Sequence, residues 1–238
     1  MTIRQSLKGY QFGSAGGLTL AQMEALVSHF RSEAGKNTEG LDGRAQMQTK
    51  ELPGIGRVVI KPYYRGGLLR RINRRTYFGF GSPRGEAEFF RLEFVRRLGV
   101  NAPETVAFAS RGQLLYQAWL VTRELPDVCS LSSKSLAAPR EAAALIPRLA
   151  EQISCLIRNG IHHVDLHPGN VLIDAENRVY IIDFDKAKTR REPQARLCRR
   201  YCRRWGRAVA KHGLPRELDT CLQKELAGMR LITSVWKP

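Results

Sequence analysis

The chain is poor in acid. Its 238 residues hold 22 Asp plus Glu against 39 Lys plus Arg, a formal charge of +17, and a surplus of that size calls for a polyanionic partner or neighbour. Nucleic acid and anionic lipid both qualify. Cysteine is sparse: Cys129, Cys155, Cys198, Cys202 and Cys221 are odd in number and form no C-x-x-C, which argues against a disulfide framework and leaves the thiols as packing residues. No apolar signal segment opens the chain, so a reduced cytoplasmic setting is expected rather than secretion. No apolar run approaches the ~20 residues of a membrane-spanning helix, so association with a membrane would be at its surface. A G-x-x-x-x-G-K-[ST] run is absent, which removes a Walker-type nucleotide site. His162, His163 and His167 crowd together, but only His29 and His212 exist besides and no Cys pair has ligand spacing, so a zinc site is disfavoured. A hydrophobic content of 43% is ample for one large or two small cores and excludes disorder.

What is present centres on residues 161–186, IHHVDLHPGNVLIDAENRVYIIDFDK. Asp165 and Asn170 stand five apart in a Pro/Gly-containing loop, and Asp183 follows Asn170 by thirteen residues. Between them, residues 170–174 and 178–183 are rich in β-branched side chains and read as the two strands of a hairpin. Asn170 opens one strand and Asp183 closes the other, so antiparallel pairing sets them side by side. An amide and a carboxylate there are hard oxygen donors of the kind magnesium takes, and Asp165, just before, is set to reach an incoming hydroxyl. The pattern is a phosphotransfer signature.

H-x-D-L-H-P-G-N followed by I-D-F-D resembles the catalytic and metal-binding loops of the protein-kinase-like superfamily. The resemblance implies that Asp165 is the catalytic base, that Asn170 and Asp183 hold Mg2+ on the phosphates of ATP, and that His163 has a structural role. Two departures stand out: His167 is where protein kinases usually carry Lys, and Asp185 is where their D-F-G has Gly.

The remaining parts of such an enzyme are sought upstream. Residues 57–63 read as a strand, and Val59-Ile60-Lys61 resembles the V-A-I-K strand whose lysine pairs with the α- and β-phosphates. A helix over residues 85–98 carries Phe89, Leu92, Val95 and Leu98 on one stripe. Glu88 borders that stripe and is expected to pair with Lys61, while Glu86 and Glu93 point to an opposite, solvated face. Gly43 and Arg44, in the turn at residues 40–45, are candidates for contacting the phosphates, because a glycine lets backbone N–H groups approach an anion. Residues 114–121 form another strand, and residues 122–126 after it read as a hinge whose backbone, with Glu124, binds adenine. Helices are expected over 139–145, 147–159 (stopped by Asn159-Gly160) and 193–211. The fold class is α+β and bilobal, with residues 1–35 an N-terminal extension bearing one helix near 20–30. Residues 36–125 form an N-lobe with an antiparallel sheet and one helix, and 126–238 a mainly helical C-lobe.

Y-Y-R-G-G-L-L at residues 63–69, with Lys61 before it and I-D-F-D-K ending at Lys186, is similar to the bacterial lipopolysaccharide inner-core sugar kinases, nearest to those acting on 3-deoxy-D-manno-octulosonic acid (Kdo). That implies ATP and Mg2+, a lipid A-linked core oligosaccharide as acceptor, and work at the cytoplasmic face of the inner membrane. The short segment after Asp185 and the lack of an A-P-E fit a small or glycan acceptor. A heptose kinase, or an aminoglycoside- or choline-type phosphotransferase, is the alternative enzyme. A basic nucleic-acid-binding module is the alternative of another class, against which no nucleic-acid motif is found. Residues 186–211 hold eleven basic residues and one acid, Glu192. With Leu197, Tyr201, Trp205 and Val209 on one helical stripe, Arg196, Arg199, Arg200, Arg203, Arg204 and Arg207 are expected around the other sides, facing an anionic membrane together with Arg65, Arg70, Arg71, Arg74 and Arg75.

Overall fold

The structure, a computed structural model, describes residues 2–34, 48–63, 77–78, 82–113 and 115–228. The chain divides into two compact units, residues 1–93 with 104–124, and residues 94–103 with 125–238. The architecture is α+β, as expected.

The first unit is built on an antiparallel sheet. Strands β1 (Ile3–Leu7) and β2 (Tyr10–Ser14) form a hairpin, helix α1 (Leu20–Ala34) follows, then β3 (Gln48–Leu52), β4 (Gly56–Pro62), β5 (Tyr77–Phe78), helix α2 (Arg84–Arg97), β6 (Thr105–Arg111) and β7 (Leu115–Arg123). The sheet order is β1-β2-β6-β7-β4-β3, with β5 also on β7. The segment 1–35, expected to stand outside the unit as an extension, thus contributes β1, β2 and α1 to it, and among the described residues the unit has two helices rather than one. The physical reason is burial. Tyr10, Phe12, Leu26 and Phe30 are at most 2% exposed, and the Phe30 ring stacks on Trp119 of β7 at 4.3 Å. Lys8 and Gly9 both have positive φ, the backbone that a two-residue hairpin needs. That turn aligns β1 with β2, and β2 then pairs with β6 from Tyr10↔Arg111 to Gly13↔Phe108.

The second unit is mainly helical. It contains β8 (Cys129–Ser130), α3 (Leu131–Ala137), α4 (Pro139–Ala144), α5 (Ile146–Arg158), β9 (Ile161–His162), a 3-10 turn at Pro168–Asn170, β10 (Val171–Ile173), β11 (Val179–Ile181), β12 (Lys188–Thr189), α6 (Gln194–Lys211) and α7 (Glu217–Gly228). Helix α5 has a fully apolar side, with Ile146, Leu149, Ile153, Leu156 and Ile157 all at 0% exposure, and it carries the chain to the loop at 161–170. Helix α6 buries Leu197, Tyr201, Trp205 and Val209, and the Trp205 indole donates to the Leu218 carbonyl at 3.0 Å, which ties α7 to it. None of the described helices is long and apolar enough to cross a membrane.

Candidate active site

Each unit carries one set of the expected residues. In the first, Val58 and Ile60 alternate into the core at no more than 1% exposure, which turns Lys61 to the other face of β4. Glu88 lies one turn into α2 and is 1% exposed. The Lys61 Nζ donates to both its oxygens, at 2.8 and 3.1 Å, and the Tyr63 hydroxyl donates to Oε2 as well. Gly85 makes this geometry attainable. A Cβ there would lie 2.4 Å from the Trp119 carbonyl oxygen, a backbone atom that cannot move aside, so only glycine lets α2 begin flush against β7. Glu88 then faces the neighbouring strand.

Glu86 and Glu93 are not the solvated charges expected of them. Glu86 is 7% exposed and pairs with Arg4 of β1, while Glu93 accepts from the Thr105 hydroxyl of β6, so long-range partners take up charges that the pattern left open. Glu124 sits where β7 ends. Its N–H donates to the Arg57 carbonyl at 3.0 Å and its carboxylate pairs with Arg57 at 2.6 Å, so its amide already belongs to the sheet. Gly43, Arg44 and the basic residues Arg65 to Arg75 lie outside the described residues, as does most of the 63–69 motif.

The buried pair has a measurable consequence. Lys61→Met leaves the Glu88 carboxylate buried without its cation, which costs on the order of 3 kcal/mol of stability. Glu88→Gln in the same chain is expected to recover much of that loss, giving a strongly non-additive cycle in denaturant melts. Additive losses would mean that the two side chains do not depend on each other.

In the second unit, Asn159 ends α5 and Gly160, at φ 63, turns the chain into β9. The next residues are fixed by α6. The Tyr201 hydroxyl donates to the Ile161 carbonyl at 2.9 Å and accepts from the His163 N–H at 2.8 Å; burial pushes that phenol far up from its ordinary value. The His163 ring reaches the Ile182 carbonyl through Nε2 at 2.9 Å, so that nitrogen carries the proton, and its ring meets Phe184 edge-on at 4.7 Å. The catalytic-loop candidate and the Asp183 segment are thereby bolted together through one buried imidazole.

His167 does not act as a cation. Its Nδ1 accepts from the Gly169 N–H at 3.0 Å, and burial, then Arg204 and His212, hold it below its ordinary value. The Asn170 N–H donates to the His167 carbonyl at 2.8 Å, and its side-chain amide donates to the Asp165 carbonyl at 3.1 Å. That contact orients Asn170 so that its side-chain oxygen is the donor left for a metal.

The expected hairpin forms, pairing Val171↔Ile181 to Ile173↔Val179, a register that sets Asn170 opposite Ile182 rather than Asp183, and the Ile182 N–H donates to the Asn170 carbonyl at 3.0 Å. Asn170 and the residue before Asp183 are therefore direct neighbours. Asp183 has φ 65, a left-handed backbone that a non-glycine residue adopts at a cost of roughly 1–3 kcal/mol. Phe184, at 0% exposure, anchors it from one side and the Asn170–Ile182 bond from the other. Such over-determination is typical of functional positions. One amide and one carboxylate oxygen suit a hard cation such as Mg2+, whose other positions are commonly filled by water and phosphate.

Three residues of this half were not singled out for it in the sequence. Tyr201 shows in the sequence only as a member of the apolar stripe of α6. Lys186 and Arg204 converge on Asp165, with the Lys186 Nζ 2.8 Å from Oδ2 and the Arg204 Nη2 3.7 Å from Oδ1. Lys186 is in the turn that follows Phe184, and the chain then returns through β12, paired with β9 at Lys188↔His162. The expected ring of six free arginines on α6 is accordingly smaller. Arg204 is at Asp165, and Glu192 takes Arg200 at 3.1 Å and Arg196 at 3.4 Å.

Burial holds His163 below its ordinary value of 6.5, against the pull of the Ile182 carbonyl, and burial likewise lowers His162. A depressed histidine favours the folded state above its unfolded value, and that contribution is lost as pH falls below it. The denaturation midpoint is therefore expected to drop between about pH 7.5 and about pH 5.5, and His163→Phe, which cannot titrate, to flatten the drop. Parallel pH dependences in the two proteins would remove His163 as its source.

The lipopolysaccharide kinase (Kdo/WaaP) family profile matches residues 28–210. A protein of Vibrio vulnificus (strain CMCP6) named 3-deoxy-D-manno-octulosonic acid kinase is 34% identical over 151 residues, 60% of this chain and 61% of the relative. One of Xanthomonas oryzae pv. oryzae (strain PXO99A) with the same name is 34% identical over 161 residues, 66% of this chain and 63% of the relative. In Stenotrophomonas maltophilia (strain K279a) a protein so named is 30% identical over 210 residues, 85% of this chain and 80% of the relative. The chain thus spans 61% of the length of the Vibrio vulnificus relative.

Proposed function

The chain belongs to the lipopolysaccharide kinase (Kdo/WaaP) family, and from that premise we propose that it transfers the γ-phosphoryl group of ATP to a hydroxyl of Kdo in a lipid A-linked core. The observation that carries this reading is the Asp165–Asn170–Asp183 set, held by the hairpin register and by His163. Asp165 accepts the acceptor hydroxyl's proton as its oxygen bonds to the γ-phosphorus and ADP leaves. Asn170 and Asp183 are the residues that would hold Mg2+, which when bound neutralises charge on the phosphate oxygens. Lys61, oriented by Glu88, pairs with the α- and β-phosphates, and the Glu124 carbonyl, rather than its amide, is the backbone group offered to adenine.

The name these relatives carry supports Kdo over heptose or an aminosugar. Labelled ATP offered in parallel to Kdo-lipid A, a heptosylated core, free aminosugars and a generic protein is the test. Label is expected on Kdo. Transfer to heptose or to an aminosugar, with Kdo untouched, would overturn the assignment.

Such an acceptor lies in a membrane, and the reading extends to peripheral attachment at the cytoplasmic face of the inner membrane. Support comes from the +17 charge and from Arg199, Arg203 and Arg207, exposed at successive turns of α6. At roughly 1 kcal/mol per basic residue near an anionic surface, converting the three to Gln is expected to weaken binding to phosphatidylglycerol vesicles on the order of a hundredfold. Added salt should weaken the unaltered protein likewise. Vesicle binding that ignores both changes would assign the arginines elsewhere.

A further inference from the structure

Asp165 carries two cations that its proposed chemistry does not call for. The Lys186 and Arg204 head groups approach opposite oxygens of its carboxylate, from a turn and from a helix. They are not what holds the loop. Tyr201, His163 and Asn170 do that through buried or half-buried hydrogen bonds, whereas the Lys186 side chain is 63% exposed, and an ion pair so open to water contributes about 0–1 kcal/mol. A lysine on the base also competes with the hydroxyl that the base must take, so the cations have to shift when the acceptor arrives.

What a displaced pair of cations needs is another anion. The phosphates have theirs in the residues already assigned, Lys61 and the metal held by Asn170 and Asp183. The acceptor, by the name its relatives carry, is a sugar acid, and no residue assigned so far meets its carboxylate. Lys186 and Arg204 already grasp one carboxylate from two sides, so Asp165 itself is the stand-in for a second.

We propose that Lys186 and Arg204 are the specificity-determining residues of the acceptor site. On acceptor binding they exchange the Asp165 carboxylate for the sugar carboxylate, so that recognition of an acid sugar and release of the base are one event. This rests on the Kdo kinase reading above. It also accounts for the histidine at position 167: the loop position that carries a lysine in protein kinases is occupied by a neutral, hydrogen-bonded imidazole, and the cation arrives instead from beyond the metal hairpin, where it meets the acceptor.

The experiment compares kcat/KM for Kdo-lipid A with that for the same lipid in which the sugar carboxyl is reduced to the alcohol. Charge-assisted contacts to a carboxylate predict a preference of roughly ten- to a hundredfold for the acid in the unaltered enzyme. Lys186→Met and Arg204→Met are each expected to collapse that ratio towards one, and Lys186→Arg, which keeps the charge, to retain a preference of the same sign. Both positions are partly exposed, and a thermal melt of each variant verifies folding. Equal losses on acid and alcohol would put the pair on the transferring phosphoryl group instead, and an unchanged ratio would leave it as surface charge; either result overturns the proposal. The functional reading fails differently. If the unaltered enzyme labels neither Kdo lipid but labels a neutral heptosylated acceptor, the acceptor assignment falls before any variant is made, and this proposal falls with it.

Discussion

Asp183→Asn is expected to lower phosphoryl transfer on the order of a thousandfold or more while the protein stays folded. The replacement keeps the size of the side chain and removes its charge. In the proposed site Asp183 is the one anionic donor beside the Asn170 amide, so a neutral residue there leaves the cation with no carboxylate from this pair. The backbone argues that folding survives: Asn adopts the left-handed conformation at φ 65 at least as readily as Asp, and Phe184 and the Ile182–Asn170 bond are untouched. The diagnostic readout is the magnesium dependence. The residual rate should require a higher Mg2+ concentration, whereas a variant altered only in acceptor binding would not. Near-normal turnover at ordinary magnesium would remove Asp183 from the metal site.

The contrast between what was legible in the sequence and what was not follows sequence distance. Asn170 and the end of the second strand could be brought together on paper, to within one residue of Asp183, because a hairpin's register is set by its own turn and its own apolar alternation. Lys61 and Glu88 were also legible, since one sits on a β-branched strand and the other beside the apolar stripe of a helix; 27 residues separate them. The contacts that escaped have partners with no local rule between them. Arg4 reaches Glu86 across 82 residues, and Tyr201 reaches the Ile161 carbonyl across 40. Lys186 and Arg204 meet on Asp165 only because β12 returns to β9 and α6 then packs behind the loop. The hairpin over residues 3–14 was overlooked for a related reason. Its strands are five residues each, and β1 (IRQSL) holds three polar residues in a row instead of an alternation; the partner that justifies β2 is β6, nearly a hundred residues on. The arginines of α6 show the converse limit, because helical periodicity separates a buried from an exposed face but cannot say that Glu192 will take two of the exposed charges.

Asp165→Asn is the companion experiment, with an expected loss of ~10²–10⁴-fold in turnover. Its cause differs from that at Asp183, and so must its signature. An amide at position 165 still lines up a hydroxyl as a hydrogen-bond acceptor, but it cannot take the proton that leaves as the new phosphorus–oxygen bond forms. The residual rate should therefore rise with pH as the acceptor supplies more of its own alkoxide, with the magnesium requirement left as in the unaltered enzyme. The fold has little at stake. The Asp165 backbone carbonyl still accepts from Asn170, and the surrounding loop is held by Tyr201 and His163. What changes locally is that Lys186 and Arg204 lose the carboxylate they share. With the competitor for those two cations gone, Kdo-lipid A is expected to bind the variant more tightly even as transfer collapses, so KM for the acceptor falls together with kcat. A general base that merely positioned its substrate would give the opposite sign, weaker acceptor binding with lower turnover. Wild-type turnover in Asp165→Asn would end the assignment of this residue as the base, and a raised acceptor KM would end the exchange of carboxylates on which the acceptor site is proposed to work.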